Sequence, residues 1–457
     1  MKLNNTLHKI SFPGFFQFIR HPADFLQSGT ERYGENFTVQ FPDRKIFTFV
    51  SNPQSLECLA TAPPETFDFS ESMAMFSSLV RDNSLLQLEG NMHVSHRKLL
   101  QPPFHGERMK LYGELICQLT EGITKSWSIG NSIELLPTMQ QITLDVLLNV
   151  VFGSSQEGCL KQIHEKATEL IVRFVTSRLF PFLIFVPILR QDWGKWTMWG
   201  RFQRLLIEFD RLVCAEIARR RENPDPEATD ILSMLVASRY DDGQPMSSQE
   251  ICDELFTLLL TGYDTTSMVL VWAMYWIHQL PRVRASLLDE FKTIDNPLDT
   301  KAIAKLPYLT ATCKETLRLY PSLLGFLRVP RKPFDMLGYE CPAGSEILGN
   351  IYSAHRRQEV YSDPSEFRPE RFLDRKYSPY EYLPFGGGNR VCIGKAFAEF
   401  QMKLILFTIL SKYQLELPND NPLHLNTVRR AAGVMPSKNV RLQVTALCKR
   451  ESSVVVS

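Results

Sequence analysis

The stretch from Ser247 to Leu280 constrains this chain most. Ser247-Ser248-Gln249-Glu250 is a pattern in which the serine and the glutamate each cap the other's backbone N–H, and Pro281 ends the run. Apolar residues fill most of the interval, which predicts a helix of roughly 30 residues, about 45 Å long at ~1.5 Å per residue. A helix that long and that apolar has to cross the interior, so the remaining chain must wrap around it. In its middle, Thr261-Gly262-Tyr263-Asp264-Thr265-Thr266 sets a glycine, a carboxylate and hydroxyls among hydrophobes. Polar groups there cost energy unless paired. Threonine bonding back to a carbonyl beside glycine can bend the helix and leave room for small polar ligands. The same residues also suit a bend satisfied internally.

The rest of the chain is long enough to do the wrapping, and no composition break marks a linker in its 457 residues. A net charge of +1 gives no bulk reason to invoke nucleic acid. The nine cysteines are scattered without a Cys-x-x-Cys pair, so neither a disulfide framework nor a zinc module is indicated and a reducing compartment fits. Met1 to Arg20 holds no apolar run long enough for a membrane anchor. Phe37–Phe41 and Lys45–Val50 read as a hairpin in a small N-terminal sheet. Leu111 to Arg221 is mostly helical in pattern. Within it, 170–189 is unusually apolar but broken by Pro181 and Pro187, and reads as buried core, a channel roof or a patch touching a membrane. Tyr413 to Leu447 reads as a β-hairpin turning near Ala432 to Met435.

Near the C-terminus, Phe385-Gly386-Gly387-Gly388-Asn389-Arg390-Val391-Cys392-Ile393-Gly394 precedes an apolar, helix-compatible run. Three glycines let the backbone approach a neighbour closely, and Cys392 stands where a helix begins, a position that favours thiolate. The spacing Phe-x-x-Gly-x-Arg-x-Cys-x-Gly resembles the haem-ligand loop of the cytochrome P450 family of haem-thiolate monooxygenases. Four further features follow in family order: His93 with Arg97, Gly262-x-Asp264-Thr265, Glu315-x-x-Arg318, and Pro369-x-Arg371-Phe372. The resemblance covers essentially the whole chain. Pro379-Tyr380-Glu381-Tyr382-Leu383-Pro384 before the loop resembles the cyanobacterial branch, which is associated with long-chain fatty acids and terpenoids.

The resemblance implies a mainly α fold with a smaller β region and one P450 domain over 1–457. Its β-rich part would span about 12–60, and haem b would lie between the 248–280 helix and the 385–394 loop. Cys392 would be the axial thiolate on iron, with Phe385 beside the sulfur and Gly394 closing the loop. Arg390, His93, Arg97 and Arg328 would hold the haem propionates, while His96, on a different helix face, is expected at the surface. Thr265 would hold bound oxygen and a water, and Asp264 would relay protons to it. Thr261 stands where the family usually has alanine, which would narrow the oxygen pocket. Met75, Phe76, Leu258, Thr261, Leu323, Leu324, Phe326 and Val434 would line the substrate pocket, and the 170–189 segment would roof it. Glu315, Arg318 and Arg371 would form a buried charge triad serving fold and haem incorporation.

The function so implied is hydroxylation of a lipophilic substrate, a long-chain fatty acid or terpenoid, with O2 and two externally supplied electrons. A ferredoxin and its NAD(P)H-dependent reductase would supply them, docking on a basic face near Lys98 and Lys395. Bacterial relatives without an anchor are soluble, so a cytoplasmic monomer with at most weak membrane contact is expected. Two alternatives remain. A same-fold hydroperoxide isomerase or dehydratase would need no external electrons, and a non-enzymatic haem gas sensor would predict an output domain.

Overall fold

The structure is a computed structural model that describes residues 7–42, 45–77, 79–154, 158–175, 190–192, 194–418, 425–430 and 433–448. The expected helix is present as Ser248–Gln279, 32 residues long, with the reciprocal Ser247–Glu250 capping box formed. Twenty-two of its residues are buried, on every face, so it is the axis of the main core. It remains α-helical through Thr261–Thr266. There Thr265 Oγ1 donates to the Thr261 carbonyl (2.7 Å) and Thr261 Oγ1 to the Thr257 carbonyl (2.8 Å). The hydroxyls are thus satisfied inside the helix, without breaking it.

Leu135–Phe152 packs most extensively on this central helix; Met198–Glu222, Pro307–Leu319 and Lys395–Lys412 surround it. Leu135–Phe152 and Ser248–Gln279 are each long and apolar enough to cross a membrane by length and composition, and both lie mostly buried in the core. Most of the apolar 170–189 segment lies outside the described residues; Leu170, Ile171 and Phe174 at its start are buried.

Twelve strands occur among the described residues: β1 (Leu7–Lys9), β2 (Asn36–Gln40), β3 (Ile46–Val50), β4 (Ser132–Glu134), β5 (Gly325–Arg328), β6 (Phe334–Met336), β7 (Tyr339–Cys341), β8 (Glu346–Asn350), β9 (Tyr413–Glu416), β10 (Thr427–Arg430), β11 (Gly433–Pro436) and β12 (Arg441–Leu447). β2 and β3 form the expected antiparallel hairpin, inside a five-stranded sheet ordered β1-β2-β3-β8-β5. Aromatic and β-branched residues suit these strands, and Phe37 stacks on Phe49 at 4.9 Å beneath the helix Pro22–Tyr33. Pairing of β5 with β8 sets Arg328 opposite Ile347 and directs the chain back toward the core.

The C-terminal region divides where the sequence suggested one hairpin. β9 pairs with β12, while β10 and β11 form a separate hairpin. That hairpin is fastened to the central helix: Trp272 Nε1 donates to the Val434 carbonyl at 3.1 Å. A Cβ on Gly433 would sit 2.3 Å from the Ser322 carbonyl, so this close approach requires glycine.

Candidate active site

The cysteine loop is shaped by one close contact. Gly388 has φ +66°, and a Cβ there would lie 1.9 Å from the carbonyl oxygen of Ala60. Only glycine permits both the conformation and the approach. The loop folds back so that Cys392 N–H donates to the Phe385 carbonyl at 3.0 Å, and the helix Lys395–Lys412 starts from Gly394. The Lys395 ammonium lies 5.9 Å from the centre of the Phe385 ring. Cys392 is solvent-accessible, yet enough chain surrounds it for burial to raise its thiol pKa. The N–H groups of Gly394 and Lys395 and the charges of Arg97 and Lys395 oppose that rise without cancelling it. The helix start therefore favours thiolate, as the sequence suggested, but burial outweighs it in the protein alone.

Three arginines and a histidine beside this loop lie close enough to act on one another. Arg97 Nη2 donates to the Val391 carbonyl (2.8 Å), one residue before Cys392. Arg390 donates to the carbonyls of Leu85 (3.0 Å) and Leu88 (2.6 Å), and its Nε is buried without a partner. Arg328, 7% exposed, lies over the rings of Phe69 and Phe326 and donates to its own neighbour's carbonyl. His93, on the helix Gly90–Leu100, is buried as well.

Among the described residues none of these four makes an ion pair with a carboxylate, and they repel one another. Burial, then Arg390, Arg97 and His96, lower the His93 pKa to about 4. Burial and then Arg390 lower that of Arg328 to about 9. Burial lowers Arg390 to about 10, with Arg97 adding to the fall and Glu89 opposing it. His93 is therefore neutral near pH 7, while the buried Arg328 and the part-buried Arg97 and Arg390 stay charged without a counter-ion, which is costly. This set is complementary to a ligand carrying two carboxylates, with an accessible sulfur beside it, which is what haem b presents.

Thr265 is half-buried on the central helix, and Asp264 is 4% exposed. The carboxylate is held by Gln140 Nε2 at 2.9 Å and by Arg430 Nε at 3.1 and 3.0 Å from its two oxygens. Neither partner was legible beforehand, because they come from Leu135–Phe152 and β10.

Glu315, Arg318 and Arg371 lie together as one charge cluster. Arg318 Nε and Nη2 grip Glu315 at 2.7 and 2.8 Å, and Arg371 Nε adds a third bond at 3.0 Å. All three residues are buried, and the arginines also donate to loop carbonyls between Ser362 and Glu366.

The pocket candidates separate. Leu258 is partly buried against the main core, while Thr261 is exposed at the bend candidate. Val434 is buried, Leu323 is 44% exposed, and Phe326 is half-buried under Arg328. Leu324 is 6% exposed and packs with Phe25, Phe49 and Tyr352 in the N-terminal cluster. Met75 and Phe76 belong to the short turn Ala74–Phe76. Lys98 is paired with Asp241 at 2.5 Å, both side chains being exposed.

His96 departs from expectation. It is fully buried: Nδ1 lies 2.9 Å from Glu254 Oε1 and Nε2 lies 2.9 Å from the Tyr240 hydroxyl. The central helix and the 240 loop cover the helix face that the sequence left open to water.

The comparison that decides the family is a match of the cytochrome P450 family model to residues 10–444. The chain belongs to the cytochrome P450 family. Curated P450 relatives include putative cytochrome P450 135B1 of Mycobacterium tuberculosis, 32% identical over 400 residues, covering 87% of this chain and 82% of that protein. Putative cytochrome P450 138 of the same organism is 32% identical over 408 residues, covering 88% of each. Among solved P450 structures, retinoic acid bound cyanobacterial CYP120A1 superposes with a TM-score of 0.77 at 25% identity, covering 94% of this chain and 95% of its own. The P450 family binds haem b through a cysteine thiolate and catalyses monooxygenation, so this chain is an oxidoreductase of that class. O2, a lipophilic substrate and redox partners are implied with it.

Proposed function

We propose that this P450 hydroxylates a long-chain fatty acid or a terpenoid, working as one domain over 1–457. The observation that carries the site reading is the accessible Cys392 sulfur in the loop beside a cluster of Arg97, Arg328, Arg390 and His93, none of which pairs with a carboxylate among the described residues. Cys392 would supply the thiolate that holds the haem iron, with Phe385 and Gly394 shaping its loop, and His93, Arg97, Arg328 and Arg390 would hold the propionates. Bound haem supplies the iron at which O2 is reduced and one oxygen atom enters a C–H bond.

Asp264 would accept protons at its carboxylate, fed from the Gln140 and Arg430 side, and pass them toward the Thr265 hydroxyl. Glu315, Arg318 and Arg371 would fix the loop that carries the cysteine. Met75, Phe76, Leu258, Thr261, Leu323, Leu324, Phe326 and Val434 would form the substrate wall. The retinoic acid bound to the structural relative is an isoprenoid acid, which favours a lipid of this type.

Electrons would come from a ferredoxin and its NAD(P)H-dependent reductase in the cytoplasm, to a monomeric enzyme. Because Lys98 is engaged by Asp241, Lys395 is the stronger docking candidate of the two. A screen of fatty acids and terpenoids by the Soret blue shift of the ferric protein tests the substrate. Dependence of product formation on NAD(P)H, reductase and ferredoxin separates monooxygenation from hydroperoxide rearrangement. Thr265→Ala should uncouple NAD(P)H oxidation from product; coupled hydroxylation at the wild-type level would reject the relay.

A further inference from the structure

The buried polar group that the catalytic reading leaves unused is the one around Glu254. This residue is 1% exposed in the first third of the central helix. Its carboxylate accepts from two directions: the His96 ring at 2.9 Å and the backbone N–H of Leu85. An ionised carboxylate accepts only, so this bond places a proton on His96 Nδ1. The other nitrogen meets the Tyr240 hydroxyl, with Glu250 Oε1 3.5 Å away.

Each of these two bonds leads to a different part of the cationic cluster. His96 lies on the same short helix as His93 and Arg97, adjacent to one and within a turn of the other. The Leu85 carbonyl accepts from Arg390, and the preceding residue, Ser84, accepts from Thr257 of the central helix at 2.9 Å. One carboxylate on the central helix therefore tethers both the helix that carries His93 and Arg97 and the loop whose Leu85 carbonyl accepts from Arg390.

We propose that Glu254 is the positioning residue of the propionate cradle: it fixes the depth of His93, Arg97 and Arg390 along the central helix, and hence the seat of a dicarboxylate tetrapyrrole relative to Thr265. The proposal rests on the reading of those cations as propionate partners. A polar pair serving only stability would place no such link between the carboxylate and haem retention. Partners one step removed from a bound group change its affinity by ~10- to 100-fold when altered.

The test measures haem loss from the ferric holoprotein to excess apomyoglobin, with melting of the apoprotein measured alongside. Glu254→Gln should raise the haem dissociation rate by about 10-fold or more. Glu216→Gln, which removes the charge of a buried carboxylate paired with Arg219 and Arg220 elsewhere, should lower apoprotein melting but leave haem loss unchanged. Arg97→Gln and Arg390→Gln report on the cradle itself. Should both leave haem loss at the wild-type rate, the cradle reading falls and this proposal with it. Should they accelerate loss while Glu254→Gln does not, the positioning role alone is overturned.

If Glu254→Gln does not fold, His96 supplies the answer. Asparagine places an amide N–H near the Nδ1 position and should retain haem; glutamine places it near Nε2 and should not. Equal haem loss from the two variants would overturn the assignment.

Discussion

Arg430 holds both carboxylate oxygens of Asp264 across 166 residues of sequence, joining the β10–β11 hairpin to the middle of the central helix. The acid proposed to deliver protons is thus already engaged, and its delivery depends on that contact loosening. Asp264→Asn is expected to slow turnover by ~100-fold and enlarge the solvent isotope effect. Arg430→Gln should slow it less while costing about 1–3 kcal/mol of stability, as for a hydrogen bond to a charged group. Steady-state product formation in H2O and D2O checks the pair, and an unaltered Asp264→Asn enzyme would remove the carboxylate from the relay.

Glu315 neutralises two arginines that water cannot reach. Glu315→Gln leaves both underpaired and should cost ~3–5 kcal/mol. Chemical denaturation of the apoprotein measures the loss, and a midpoint shift equal to that of a surface Glu→Gln control would contradict it.

Gly387 and Gly388 are neighbours with opposite tolerance. Gly388→Ala meets the Ala60 backbone in a left-handed conformation, which alone costs ~1–2 kcal/mol, so the loop must move and the cysteine with it. Gly387→Ala meets only the Ala60 methyl at 3.3 Å and the Tyr380 ring at 3.4 Å, at φ −150°. Reduced, carbon-monoxide-treated protein should lose the thiolate absorption in the first variant and keep it in the second.

His93 gives the cradle a pH signature. Its folded pKa, about 4, lies below the ordinary 6.5, so the unfolded chain binds the extra proton more readily. Its contribution to stability is complete above pH 6.5 and is lost as pH falls toward 4. The apoprotein should melt at progressively lower temperature across that window, and His93→Gln should flatten part of the slope. Haem carboxylates would raise the His93 pKa, so holoprotein should show a shallower dependence. Parallel curves for the two forms would show that His93 does not face the ligand.

The features readable from sequence share a short span. The Ser247–Glu250 capping box, the Glu315–Arg318 pair and the cysteine loop each need only a few consecutive residues, and local geometry fixes their contacts. Features that escaped are pairings across the fold. His96 looked like a surface residue because helix periodicity records faces but not what covers them; its partner lies 158 positions away. Arg430 and Gln140 became partners of Asp264 only once β10 and the helix Leu135–Phe152 were placed. The two acceptors of Arg390 are main-chain carbonyls, which carry no side-chain signature at all.

The β10–β11 hairpin is pinned to the central helix at Asp264 and again at Trp272, with Gly433 pressed against the Ser322 carbonyl. For an engineer seeking new products, that strap is a poor place to start: randomising its residues would disturb the proposed proton relay together with the proposed substrate wall. Leu323, proposed for the substrate wall, is exposed and outside the strap, and is the better first target.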